Sequence, residues 1–225
     1  MFVAGVDGCR AGWVCFKVEV TSLATSVEVI ELPSLLKNRL SDLACLAIDI
    51  PIGLLDGSRA CDKAARKLLG QPRGTSVFAA PCRTASQAAT HAEASAVNQK
   101  TGRGLSQQAF GIGLKIKQVD DAITPDCQWA FEVHPEVCFW ALNGQRPMMH
   151  NKKTEAGRAE RLNLLRNVFP DIHRHLLNRP SGVGQDDLLD AASAAWTAVR
   201  LHKGNALHVC NPERDEKGLA VTIWY

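Results

Sequence analysis

Residues Phe2 to Asp7 form a short apolar run that ends on an acid. From Gly12 to Val20 the pattern alternates, with Val14, Phe16, Val18 and Val20 on one side and Cys15, Lys17 and Glu19 on the other. A period of two predicts a half-buried strand. A third strand is predicted over about Thr25 to Glu31, followed by a helix after Pro33. Leu43 to Asp49 is then continuously apolar up to a second acid, as expected of a central strand buried on both faces. A helical crossover between these two buried strands sets them parallel.

Farther along, the periodicity turns helical. Ser58 to Leu69 reads as a helix closed by Gly70, and Gln71 to Arg83, with Pro72, Gly74 and Pro81, reads as a loop. Helices are predicted near Ala85 to Val97 and Ser106 to Ile123, joined by a glycine-containing linker at Thr101 to Gly104. Trp129 to Val133 is another apolar strand, and it contains Glu132 ahead of His134-Pro135. A helix near Thr154 to Phe169, a break at Pro180 to Gly184, a long helix from Asp186 to about Lys203 and a closing strand near Leu219 to Trp224 complete the pattern. The fold class is α/β.

The chain has 225 residues, 46% of them hydrophobic and 22% charged, which fits one domain over 1–225 with a helical insertion at about 56–125. A formal net charge of +3 does not announce nucleic-acid binding, so such a role has to come from local charge. None of the eight cysteines forms a C-x-x-C pair. Met1 to Asp7 reads straight into a strand with no export signal, and no apolar run approaches the ~18 residues of a membrane span. The expectation is a cytoplasmic protein with reduced thiols, several of them in the core, and no membrane partner.

Carboxylates occur where a sheet protein can gather them. Asp7 and Asp49 end buried strands, where open α/β sheets place ligands. Glu132 lies in a third apolar strand, and Asp186, Asp187 and Asp190 open a helix. At about 100° per residue those three share one arc of about 100°, opposite Leu188, Ala191, Ala192, Ala195 and Val199. Magnesium and manganese prefer hard oxygen ligands, and a pair of such ions about 3.5–4 Å apart can clamp both reacting oxygens of a phosphodiester. Plainer roles stand beside this one: Asp186 and Asp187 complementing the helix dipole, Asp7-Gly8 forming a turn, Asp49 simply ending a strand, Glu132 facing solvent.

Five stretches carry a resemblance to a known family: Gly5-Val6-Asp7-Gly8-Cys9-Arg10-Ala11-Gly12-Trp13-Val14, Ala47-Ile48-Asp49-Ile50-Pro51-Ile52-Gly53-Leu54, Ser76-Val77-Phe78, Glu132-Val133-His134-Pro135-Glu136 and Asp186-Asp187-Leu188-Leu189-Asp190-Ala191. Together they closely resemble domain of unknown function 429, over nearly the whole chain. Members are usually described as predicted ribonuclease-H-like nucleases. The resemblance implies a ribonuclease-H-like sheet, with three antiparallel strands first and parallel strands after them. It also implies Mg2+ or Mn2+, with two metals possible, held by Asp7, Asp49 and the Asp187/Asp190 pair. The fit is closer to junction-resolving nucleases than to ribonuclease H itself. Glu132 would join the catalytic acids.

Other side chains have candidate roles. Arg10 follows the Asp7 turn and can reach an anionic ligand; His134 is placed for acid–base work or for fixing the Pro135 turn. Ser76 and Arg83 are candidates for binding a phosphate or carboxylate, or for ordering their loop. Eight basic residues (Arg59, Lys63, Arg66, Lys67, Arg73, Arg83, Lys100, Arg103) face two acids between Arg59 and Arg103. A second stretch, Arg146 to Arg179, has eight against three, Lys152 among them, and Lys115 and Lys117 add a basic helix segment. These side chains are either a phosphate-contacting wall or solvated helix faces. The chain has no P-loop, G-x-G-x-x-G, H-E-x-x-H or G-x-S-x-G motif.

The leading expectation is a metal-dependent nuclease or related phosphoesterase acting on nucleic acid or a nucleotide-like phosphodiester. The alternatives are a small-molecule phosphotransferase or phosphohydrolase of the actin-like sheet type, and a non-catalytic binding protein of the same fold.

Overall fold

The computed structural model describes residues 1–102 and 104–225; Arg103, one of the basic residues counted above, lies outside the described residues. Strands β1 (Phe2–Cys9), β2 (Gly12–Glu19) and β3 (Thr25–Ile30) are followed by helix α1 (Leu32–Lys37) and strand β4 (Leu43–Ile48). Helices α2 (Ala60–Leu69), α3 (Arg83–Ser86), α4 (His91–Gln99), α5 (Gln107–Gly111) and α6 (Gly113–Ala122) come next. Strand β5 (Ala130–Glu132) leads into α7 (Pro135–Leu142), α8 (Glu155–Arg166), α9 (Ile172–Leu177) and α10 (Gln185–His202). A small ribbon of β6 (Glu213–Arg214) and β7 (Ala220–Val221) completes the order.

The main sheet has five strands in the order β3-β2-β1-β4-β5. β1 pairs antiparallel with β2, and β2 with β3, whereas β1–β4 and β4–β5 are parallel. The α/β class and the mixed sheet agree with the sequence pattern. One face of the sheet, with Val3, Val14, Phe16, Cys45 and Ala47, packs under α10 and the helices around it. The other face, with Ala4, Val6, Trp13, Cys15, Leu46 and Ile48, packs against Leu32 and Leu36 of α1 and Ile116 and Val119 of α6. Trp13 and Cys15 are buried, so β2 is covered on both faces at its start rather than half-exposed.

Several boundaries differ from the periodic reading, each for a local reason. The helix expected over Ser106 to Ile123 breaks at Ile112 between two glycines, which are poor helix formers. The one expected from Ala85 is split, and α4 restarts on a capping box between Thr90 and Glu93. Periodicity does not mark α7: Pro135 sits in its first turn and its residues are apolar nearly all round, so it has no amphipathic stripe. In the closing segment only Ala220–Val221 forms a strand, with Trp224 bridging to Val133 beyond it. All eight cysteines are free thiols, and no described helix is long and apolar enough to cross a membrane.

Candidate metal centre

Alternation along the two central parallel strands decides where their terminal acids point. Val3 and Cys45, and beyond them Gly5 and Ala47, lie on the α10 face of the sheet; the next residue of that parity on each strand is Asp7 and Asp49. Strand β1 runs beside β4 with Gly5 opposite Ala47 and Val6 opposite Ile48, and the Asp49 N–H donates to the Val6 carbonyl at 2.9 Å. The two carboxylates therefore emerge side by side.

The third acid comes from α10. This helix carries Ala191, Ala194 and Ala195 against β1, where Gly5 has no side chain. The close approach brings Asp190, only 1% exposed, over the strand ends. One carboxylate oxygen each from Asp7, Asp49 and Asp190 lie within 4.8 Å of one another. Crowding and burial have the expected electrostatic result. Burial and the neighbouring carboxylates hold Asp7 well above the usual carboxylate range, and they push Asp49 up to about 8.

One cation already faces this trio. Lys152, in the loop before α8, reaches Asp190 Oδ2 with its Nζ at 2.5 Å. Asp190, then Asp49 and Asp7, raise the Lys152 pKa above its ordinary value, although burial opposes them. The other oxygen of Asp190, Oδ1, is buried with no hydrogen-bond partner. Three hard oxygen donors, one of them holding a free buried lone pair, are the donor set that magnesium and manganese favour. The residues fit such an ion.

A family model described as protein of unknown function (DUF429) matches residues 5–216, a span that contains all of these side chains. The chain belongs to the DUF429 family. No curated protein and no solved structure matches it.

The remaining candidate residues of this DUF429 chain separate by position. Glu132 does not join the trio. It pairs with Ile48 and so has the opposite parity from Asp49, which turns it toward the other face of the sheet. There both of its oxygens accept from Arg59 Nη2, at 2.6 and 2.5 Å, and Oε2 also accepts from the Ile52 N–H at 2.7 Å. Arg59 lies 3.5 Å from Asp62 as well. Cys61, Asp62 and Glu132 thus form a second buried cluster, already supplied with its own cation. Burial raises the Glu132 pKa, and Arg59 opposes that rise.

Asp187 and Asp186 sit half-buried in the first turn of α10. Asp187 Oδ2 accepts from the Gly184 N–H at 2.9 Å, so this side chain caps the helix while its charge adds to the field at Asp7. Asp186 has its pKa raised by burial and by Asp190.

A cleft of about 190 Å³ opens beside the trio and is lined by Asp7, Asp49, His134 and Lys115, by Asp62 and Glu132 of the second cluster, and by Gln108, Phe78, Ile112 and further apolar side chains. His134 Nδ1 is buried without a partner, and burial together with Lys152 pushes its pKa down to about 4. Lys115 crosses Gly8, donates to the Gly12 carbonyl at 2.6 Å and lies 4.5 Å from the centre of the Trp13 ring. Ser76 ends a short 3-10 turn, and its backbone hydrogen-bonds to His134.

Other candidates are held elsewhere. Arg83 is clamped by Asp120, Asp215 and Glu216, and Lys117 pairs with Asp121. Arg10 is exposed in the β1–β2 turn. Several members of the two basic stretches serve the interior: Arg59 on Glu132, Arg66 on the Val77 carbonyl, Arg161 on Glu136, Arg179 on the Leu176 and Val183 carbonyls. The residue that sequence reasoning passed over is Lys152, counted only as one of the basic residues. It stands in a polar loop between helices, where periodicity carries no signal.

Proposed function

We propose that this chain hydrolyses a phosphoester with the help of one or more divalent cations held by Asp7, Asp49 and Asp190. The observation that carries the reading is the convergence of these three carboxylates from β1, β4 and α10, with Asp190 Oδ1 buried and unpaired. Ordinary strand ends and helix caps do not need such an arrangement, and like charges this close are costly without a cation. The strand order, three antiparallel strands followed by parallel β4 and β5, supports a ribonuclease-H-like reading of the fold. Bound magnesium or manganese would polarise a phosphoryl oxygen and acidify a coordinated water.

The chain's own residues supply the rest. Asp7 and Asp49 line the cleft from rigid strand ends, which is where a reacting group needs fixed ligands. Burial pushes the His134 pKa down to about 4 and keeps the ring neutral at pH 7, with its Nδ1 sealed away from the cleft. So low a pKa makes it a weak base, and its part is to hold the Ser76 backbone at the cleft wall.

Cleft size narrows the substrate. A dry cavity of about 150 Å³ holds one benzene ring, so about 190 Å³ admits a single ring or sugar rather than a base pair. A nucleotide-like phosphodiester or an unpaired strand end fits. With many of the basic side chains turned inward, a continuous rail for duplex phosphates is not supported.

The test is hydrolysis of bis(p-nitrophenyl) phosphate and of short single-stranded oligonucleotides with millimolar Mn2+. Wild type should turn over at least one of them, and Asp7→Asn and Asp190→Asn should lose about 10³-fold, in line with removal of a metal ligand or of a comparable electrostatic group. Full activity in both variants would refute the reading.

A further inference from the structure

The Lys152 loop is fastened residue by residue. Met148 is buried in the core beneath α10. Both oxygens of Glu160 in α8 accept backbone N–H groups, Met149 at 2.8 Å and His150 at 3.0 Å. Arg161, 1% exposed and paired with Glu136, donates to the His150 carbonyl at 3.2 Å. The Asn151 carbonyl lies 1.9 Å from where a side chain on Gly157 would begin, so only glycine lets the loop rest on α8 there. Thr154 then donates to that same carbonyl at 2.8 Å and caps α8 through the Gly157 N–H. A lysine that had merely drifted onto a surface acid would need none of this, since such pairs contribute little. The scaffold holds one ammonium group on Asp190 Oδ2.

Charge and position together say what this ammonium replaces. Three ionised carboxylates and Lys152 sum to two negative charges within the ligand set itself, which one divalent ion cancels, while Asp186 and Asp187 stand half-buried beside it in the first turn of α10. In two-metal sites a carboxylate commonly serves both ions, about 3.5–4 Å apart. Here Asp190 Oδ2 is taken by Nζ at 2.5 Å, and Oδ1 is the oxygen left unpaired.

We propose that Lys152 stands in for a second metal, so that Asp7, Asp49 and Asp190 bind a single divalent cation. This rests on the metal-site reading given above and specifies its stoichiometry. Lys152 is a positioning residue in this scheme, fixing the count and place of the ion.

The experiment is Mn2+ titration of the full chain by calorimetry, with Mn2+ electron paramagnetic resonance on the loaded protein. Wild type should bind one ion per chain with an isolated-ion spectrum. Lys152→Met, which keeps an unbranched stem one atom shorter and removes the charged tip, should bind two, with the spin coupling of neighbouring ions; Lys152→Arg should return the count to one. Two ions in wild type would overturn the role of Lys152 while leaving the metal site standing, and so would one ion in Lys152→Met. No saturable binding in any of the three proteins at millimolar Mn2+ would sink the metal site itself and this inference with it.

Discussion

Gly5 of β1 lies so close to Ala195 of α10 that a Cβ placed on it would sit 2.0 Å from the Ala195 nitrogen and 2.2 Å from the Ala191 carbonyl oxygen. Neither obstacle is a flexible side-chain tip; both belong to helix backbone. The contact sets the distance at which α10 crosses the sheet, and with it the reach of Asp190 toward Asp7.

Gly5→Ala should therefore act at two levels. The helix must lift off β1, at a cost of about 3 kcal/mol or more, the upper range for overpacking a core. Urea denaturation measures this loss. Mn2+ affinity, read on the fraction that remains folded, should fall as well. A fully stable Gly5→Ala protein with normal metal binding would show that the approach of helix to strand does not build the site.

Asp7→Asn should raise metal-free stability while abolishing metal binding. The carboxylate is held above its usual pKa by burial and by Asp49, Asp190 and Asp187, so replacing it with a neutral near-isostere relieves repulsion. A gain of about 1–2 kcal/mol at pH 8 in chelator is expected. Wild type, by contrast, should gain about 2.7 kcal/mol at a metal concentration 100 times its Kd, and the variant nothing. Thermal melts with and without Mn2+ decide the matter.

Stability without metal should depend on pH in a defined direction. Asp49 has a folded pKa of about 8 against an ordinary 3.8, a raised value. The stability it contributes is complete below the ordinary value and is lost as pH climbs through 8; Asp7 acts in the same direction. His134 is depressed, from 6.5 to about 4, so its contribution is complete above 6.5 and is lost as pH falls toward 4. Between pH 6.5 and 8.5 these two carboxyls act together with Glu132, which burial raises to about 7, and the melting temperature in chelator should decline across that window. Mg2+ should flatten the part of the decline that belongs to Asp7 and Asp49 and leave the Glu132 part. Calorimetry at pH 7 in buffers of different ionisation enthalpy should show proton release on Mg2+ binding, because a ligand carboxyl must ionise. A melting temperature that rises from pH 6.5 to 8.5 would contradict the assignment.

Arg59→Met should damage folding rather than metal binding. Removing the guanidinium leaves Glu132 and Asp62 buried without a cation, and breaking one side of such a pair costs about 3–5 kcal/mol. Arg59→Met/Glu132→Gln should recover part of the loss. Equal destabilisation in the single and double variants would mean that the two side chains are not coupled.

Much of this architecture was readable from the order of side chains. Apolar runs ending at Asp7 and Asp49 place two carboxylates on neighbouring parallel strands, and the alanines of α10 mark a helix that packs closely. Asp190 stood out because it lies past the first turn, where dipole compensation no longer accounts for an acid. Glu132 shows the limit. Its strand was evident, but its register against β4 was not, and a shift of one residue decides which face a side chain takes. The pairing with Arg59 spans 73 positions of sequence and has no local mark. Lys152 was hidden for the same reason, since its place depends on α8 contacts that form only in the folded chain.

The long helix α10 covers β1, β2 and β4, and it is the last of the described helices. During synthesis β1 is made some 175 residues before α10 begins and β4 some 140, roughly ten to thirty-five seconds and seven to thirty at ribosomal speed, and for that time the strip of sheet under α10 has no cover. A nascent chain halted before Gln185 leaves that strip open to chaperones and proteases, and its two strand-end carboxylates have no third partner.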